Sequence, residues 1–231
     1  SSRPTPNLIG DFGGGGMLLA LGIVSALLET KSSGEGQVID AAMTDGSSLL
    51  MTMMYSMQQS GFWNLERQTN LLDGAAHFYD TYECKDGKYI SIGSIEPQFY
   101  DLLCEKAELS PDQFGDQMKR DAWKEKKDLI SKVFLTKSRD EWCEIMEGTD
   151  VCFAPVLDMS EAPRHPHNIA RKTFIELEGV TQPAPAPRFN RTENEVSLPP
   201  ALAGEHSKEI LESLGLNEEE SRSLLESGAV A

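Results

Sequence analysis

Leu8-Ile9-Gly10-Asp11-Phe12-Gly13-Gly14-Gly15-Gly16-Met17 is the stretch on which the reading of this 231-residue chain turns. Beyond it, residues 17–29 carry apolar side chains around nearly the whole circumference of a helix, so that helix is expected to be buried on most sides. The glycines before it supply backbone without Cβ atoms, able to bend and to let another group come close. Asp11 stands directly before them, and two readings fit. A carboxylate there can cap the helix, where the positive end of the dipole favours an anion. The same glycines can instead open room for a substrate carbonyl against helix N–H groups while Asp11 handles a proton. The segment is not a dinucleotide-binding fingerprint, because no strand of length precedes it and the glycine spacing is wrong.

Working outward, residues 34–36 turn the chain and Gln37-Val38-Ile39-Asp40 reads as a short apolar strand. A second long helix is predicted over 41–60, with Met43, Met51, Met53, Met54 and Met57 along it. Such a stripe serves as adaptable core packing or as a pliable wall for an apolar acyl chain. From Phe78 the period changes to two. Residues 78–84, a turn at 85–88 and residues 89–93 predict a β-hairpin. Helices are expected over 98–107, 122–135 and 138–146, the last opened by Ser138 with Glu141 as its capping-box partner. Short strands over 151–156 and 174–177 follow, and the Pro-Ala repeat at 182–187 reads as an extended linker. Two amphipathic helices close the chain, over 207–214 and over 217–227, the second capped by Asn217.

This order describes an α/β chain in which a remnant of a large parallel-sheet domain is joined to a smaller α+β domain. Residues 1–45 are expected to be the large-domain remnant with Asp11, and 46–76 a linker helix and loop. Residues 77–185 are expected to form the small domain, and 186–231 a segment returning to the large one.

Composition removes several classes of function. A net charge of −16 argues against nucleic acid, whose binding depends on Lys and Arg neutralising phosphates. An anionic ligand must then be drawn in by local basic groups rather than by the overall field. Cys84, Cys104, Cys143 and Cys152 form no Cys-x-x-Cys pair and read as buried, reduced thiols of an intracellular protein. No metal site is expected. The apolar run 17–28 is shorter than the ~20 residues of a membrane span, so no membrane insertion is expected either. The opening Ser1-Ser2-Arg3-Pro4 lacks a Met, so a preceding region is expected to have been removed, and N-terminal targeting goes unread. The C-terminal Gly228-Ala229-Val230-Ala231 is not a Ser-Lys-Leu type peroxisomal address.

The Asp11 segment resembles the stretch around the catalytic aspartate of the α-methylacyl-CoA racemases, within the CoA-transferase family III superfamily. Further blocks match in order: Thr69-Asn70-Leu71-Leu72-Asp73-Gly74 with Phe78-Tyr79-Asp80-Thr81-Tyr82, and Gly93-Ser94-Ile95-Glu96-Pro97-Gln98-Phe99-Tyr100. Lesser matches lie at 148–150, 165–168, 183–187 and 204–206, so the resemblance spans nearly the whole chain. It implies the family III fold and epimerisation of 2-methyl-branched acyl-CoA thioesters by proton transfer through an enolate. The thioester carbonyl acidifies the α-C–H, and inversion needs a base within reach of each face of that carbon.

By the same resemblance Asp11 is one base, and Glu96 orients a histidine that is the other. Gly13, Gly14, Met43, Leu72, Tyr79 and Ile95 would bind substrate. Without the resemblance, Glu96 reads as an acid starting the helix at Pro97. No cofactor is implied, CoA being part of the substrate. The implied partners are acyl-CoA and a second copy of the chain in a homodimer, and the implied compartment is mitochondrial or peroxisomal.

The histidine of the family stands ahead of the aspartate in a Gly-His-Asp context, and none of His77, His165, His167 and His206 has it. His77 reads as a turn or surface residue near a strand start, His165 and His167 as shaping a loop, and His206 as capping the tail helix. The chain alone is therefore expected to be inactive. Two alternatives stay open: a family III CoA-transferase with Asp11 as nucleophile, and an acyl-CoA binding protein without catalysis. Such transferases carry a Gly-rich loop near 70–78, where this chain has only Gly74.

Overall fold

The glycine-rich stretch folds as helix rather than as a bend. In the computed structural model of the chain, which describes residues 7–196 and 198–230, Leu8–Met17 forms a π-helix. It starts where the N–H groups of Asp11 and Phe12 both bond the Asn7 carbonyl, at 3.1 and 3.2 Å. It runs on into α1 (Leu18–Ser33), which ends at Gly34 in the left-handed conformation (φ 77°), where glycine meets no Cβ clash.

The expected burial of this helix is not found. No residue of α1 is buried, and Leu21 and Leu28 are 61% and 68% exposed. A helix that is apolar all round needs neighbours on every side, and the described residues do not enclose it. The whole helix Leu8–Ser33 has 26 residues, and an 18-residue stretch of it has a mean hydropathy of 1.6. By length and composition it can cross a membrane, so counting only 17–28 understated it. The strand expected at 37–40 is also absent: the backbone carries no ladder, and Val38 is 96% exposed.

The long second helix is two, α2 (Met43–Leu50) and α3 (Thr52–Gln59), divided at Met51. There ψ rises to 3° and the Met51 N–H bonds the Ser48 carbonyl three residues back, tightening the turn. Helix α2 meets the π-helix at glycines. A Cβ added to Gly46 would lie 1.8 Å from the Gly14 carbonyl oxygen, and one on Gly14 would lie 2.8 Å from the Ser47 nitrogen. Neither position admits a side chain.

The hairpin forms as read. Strands β1 (Tyr79–Glu83) and β2 (Tyr89–Gly93) pair antiparallel with Tyr79 opposite Gly93 and Glu83 opposite Tyr89. Helices α4 (Pro97–Lys106), α5 (Pro111–Phe114), α6 (Trp123–Phe134) and α7 (Arg139–Met146) follow. Strand β3 (Phe153–Val156) then pairs antiparallel with β2, giving the order β1-β2-β3.

Tyr82, Ile90 and Ile92 turn inward from the sheet onto Phe78, Leu103, Ile130, Phe134, Trp142 and Met146, which are 3% exposed or less. Trp142 meets Phe134 edge-on at 5.2 Å and donates its indole N–H to the Phe134 carbonyl at 2.9 Å, so its polar atom is satisfied inside the core. Ser138 and Glu141 make the expected reciprocal capping box at the start of α7.

The chain divides into two compact units, Ser1–Val156 and Leu157–Ala231. The second contains α8 (Pro166–Ala170), a hairpin of β4 (Phe174–Leu177) and β5 (Val180–Pro183), then α9 (Ser207–Ser213) and α10 (Glu218–Glu226). Glu178 and Gly179 both take positive φ, 48° and 80°, as a two-residue hairpin turn requires. The Pro-Ala repeat thus begins as strand rather than as linker. Asn217 caps α10 through a capping box with Glu220. His206 holds the N-cap position of α9 but makes no capping bond, its ring lying 3.8 Å from Glu209.

His77 is not a surface residue. It is fully buried, and its Nε2 lies 2.7 Å from the Tyr100 hydroxyl. That hydroxyl donates its one proton to the Phe114 carbonyl at 2.8 Å, so Nε2 must carry the hydrogen, and Nδ1 is left as a buried acceptor without a partner. Burial first, and the charge of Lys126 second, push the imidazole down to about 3.

In the unfolded chain the imidazole takes up its proton near 6.5, so the unfolded state binds more protons below that pH. The stability carried by neutral His77 is therefore present above pH 6.5 and lost as pH falls toward 3. The difference between pH 7 and pH 5 is about 2 kcal/mol, visible as a falling Tm that His77→Gln flattens; parallel curves for the two proteins would contradict it. Separately, Gly46→Ala forces the π-helix and α2 apart and lowers stability by about 1–3 kcal/mol. Gly36→Ala, in open space, stays within about 0.5 kcal/mol, and equal effects at the two glycines would contradict the close approach.

Candidate active site

Asp11 lies inside the π-helix, four residues after the N-cap position held by Asn7. It therefore does not cap the helix, and its side chain is exposed. Wide π turns distort the regular ladder, and such turns recur at functional sites. Gly13 is half-buried and Gly14 fully buried. Gly14 meets α2 rather than open space, so the close approach that the glycines permit is that of a helix. Next to it, a Cβ on Gly15 would lie 3.0 Å from Cγ of Met43. Packing of α2 thus sets Met43 beside the helix that carries Asp11.

A second cluster lies on the outer face of the three-stranded sheet. There an open groove of about 610 Å³ is lined by residues including Leu72, Gly74, Tyr79, Gly93, Cys152 and Phe153. Leu72 and Tyr79 share it. The loop bearing Leu72 is fixed by Asn70, which is fully buried and has its amide satisfied on both sides. Its Oδ1 accepts from the Asn64 N–H at 2.7 Å, and its Nδ2 donates to the Asn64 carbonyl at 3.0 Å and to Asp73 at 2.8 Å. Asp73 returns the contact by accepting from the Asn70 N–H at 2.8 Å. Lys127 donates both to the Gly74 carbonyl and to the Asp80 carboxylate, tying the end of this loop to β1. Cys152 takes a left-handed conformation (φ 58°) and its carbonyl accepts from the Gly93 N–H at 2.9 Å, which joins β3 to the end of β2.

Ile95 and Glu96 follow directly on β2. Ile95 is half-buried and packs against the hydrophobic core. Glu96 sits at the N-cap of α4, is exposed, and makes no side-chain capping bond. Its backbone carbonyl accepts from Phe99 and Tyr100, so its backbone opens the helix while its carboxylate is left available. Burial first, and the negative charge of Glu96 second, raise the Cys152 thiol.

Among the described residues no group of three His, Cys, Asp or Glu is arranged to hold a metal ion. Chemically, the unit offers the exposed Asp11 and Glu96 carboxylates on separate elements, an adaptable Met beside the first, and a groove whose lining mixes Leu72, Tyr79 and Phe153 with Gln68, Asp73 and Ser91. The Asn70–Asp73 knot and the Lys127–Asp80 clip were not foreseen, and Cys152, expected to be buried, is exposed on the groove. The first has a local spacing of three that an Asx-type reading finds. Asp80 and Lys127 are 47 residues apart and leave no local signal.

The sequence profile of CoA-transferase family III matches residues 3–207. The α-methylacyl-CoA racemase of Mus musculus is 43% identical over 222 residues, covering 94% of this chain and 58% of the relative. The racemase of Homo sapiens is 43% identical over 216 residues, covering 93% and 56% respectively. A CAIB/BAIF family protein from Brucella suis shares the fold with a TM-score of 0.69 at 19% identity, over 92% of this chain and 57% of that one. The chain therefore spans 56–58% of the length of these relatives. With a family profile running through both carboxylate segments and a matching mixed helix-and-sheet fold, the chain belongs to CoA-transferase family III.

Proposed function

We propose that this protein epimerises 2-methyl-branched acyl-CoA thioesters by moving the α-proton. The observation that supports it most is the 43% identity to two α-methylacyl-CoA racemases, sustained over 93–94% of the chain. On this reading the exposed Asp11 carboxylate takes the α-proton from one face of the carbon, and the C–H electrons pass into the thioester carbonyl. The resulting enolate collapses when a proton is delivered to the opposite face, which inverts the centre.

Gly13 and Met43 bind the substrate beside Asp11, while Leu72, Tyr79 and Ile95 hold the acyl chain; Gly14, buried against α2, sets that packing and does not itself reach substrate. Glu96 orients the acid–base group of the opposite face, as a carboxylate orients the base in other dyads. In the racemases that the sequence resembles, that group is a histidine. His77 cannot serve, being enclosed in the core against Tyr100 with its basicity suppressed. The 231 residues alone are then inactive, and the full-length gene product, acting as a homodimer in an intracellular compartment of lipid metabolism, is the catalyst. CoA enters as part of the substrate, and no separate cofactor is needed.

Racemase and transferase readings separate in one assay. Full-length gene product in deuterated buffer is expected to wash deuterium into the α-position of 2-methylacyl-CoA. Acyl exchange with a free acid and no deuterium uptake would establish the transferase instead, with Asp11 as nucleophile. Asp11→Asn is expected to lower exchange by ~10²–10⁴-fold, the usual effect of losing an acid–base group. Because Asp11 is exposed, stability should change by less than about 0.5 kcal/mol. Turnover close to wild type would remove Asp11 from the chemistry.

A further inference from the structure

We propose that Gln117 is a positioning residue that holds Glu96 in place for the reaction; this rests on the role given to Glu96 above. Strand β2 ends at Gly93 and α4 begins at Pro97, so the carbonyls of Ser94 and Ile95 fall between a ladder and a helix. Ser94 is fully buried, and a buried carbonyl without a partner is costly. Gln117 supplies both partners from one group. Its Nε2 donates to the Ser94 carbonyl at 2.9 Å and to the Ile95 carbonyl at 2.9 Å, using the two hydrogens that a primary amide carries. Glu96 is the next residue.

Gln117 comes from the loop between α5 and α6, and it is itself held. It is 9% exposed, and the indole N–H of the buried Trp123 donates to its backbone carbonyl at 2.8 Å. From the other side, the Ser94 N–H bonds the Phe78 carbonyl at 3.0 Å and the Ser94 hydroxyl donates to the Val151 carbonyl. Past Glu96, the N–H groups of Phe99 and Tyr100 bond its own carbonyl. The backbone on both sides of Glu96 is therefore fixed by named bonds, while the carboxylate itself is exposed and uses none of its capacity in capping α4. A rigid backbone beneath a free carboxylate is what an orienting group needs, since misplacement by ~1 Å can cost ~10²-fold in rate.

The test is a double-mutant cycle on the full-length gene product, with α-proton exchange of 2-methylacyl-CoA as the readout. Gln117→Ala is expected to lower kcat by ~10–100-fold with KM within about twofold. Gln117→Met, of similar volume and without donors, is the second variant should the alanine protein not fold. In a Glu96→Gln background either change should cost less than about threefold more, because the group it positions is already lost. Ile130→Val, in the same core but remote from these bonds, serves as a control that lowers Tm without lowering kcat. Independent, multiplying losses, or wild-type kcat in a folded Gln117 variant while Glu96→Gln is impaired, would overturn the positioning role and leave the racemase reading standing. Wild-type turnover in Glu96→Gln would overturn both roles at once.

Discussion

Between Gly14 and Gly46 there is no room for even one carbon atom, and much of the candidate site depends on that contact. Bare backbone on both sides brings α2 directly onto the π-helix. Met43, at the first residue of α2, is thereby set against Gly15. Asp11 sits earlier in the same helix, on the part that α2 leaves exposed. The glycines therefore serve packing first. Whatever role they have toward substrate depends on a helix held from behind by its neighbour, which gives the carboxylate a firmer base than a flexible loop would.

The small sheet works by having two faces. Alternation sends Tyr82, Ile90 and Ile92 into an aromatic core with Phe134 and Trp142, while Tyr79 and Gly93 turn to the outside. That outer side becomes a groove only because loop 64–74 is tied down beside it. Asn70 and Asp73 knot the loop internally, and Lys127 fastens its end to Asp80. A salt bridge of this kind contributes little as an isolated surface pair, but here it also bonds a backbone carbonyl and so fixes the position of chain rather than of charge alone. The wall bearing Leu72 is preorganised.

What was legible in the sequence was local. The period of two from Phe78, the turn at 85–88, the Ser138–Glu141 box and the Asn217 cap each depend on residues a few positions apart, and each appears as expected. The failures have one physical cause, that partners distant in sequence decide burial and pairing. Val38 and Ile39 have strand composition, but a strand exists only beside another strand. Helix α1 has the composition of a core helix yet stands exposed. His77 looked like a turn residue because nothing nearby in sequence announces Tyr100 or Phe114, which bury it. Asp11 and Glu96 were singled out through the family resemblance rather than through any property of an isolated carboxylate. The elements of Gln117 that matter, two carbonyls more than twenty residues away, have no trace in its own neighbourhood.

Proton transfer by Asp11 requires its carboxylate to meet the α-carbon of the thioester. That contact is tested most directly by a crystal structure of the full-length gene product with an unreactive ether analogue of 2-methylacyl-CoA. The branched carbon is expected within ~3–3.5 Å of an Asp11 carboxylate oxygen, with the acyl chain running along Leu72 and Tyr79. An α-carbon far from Asp11, with the acyl chain outside the groove, would contradict it.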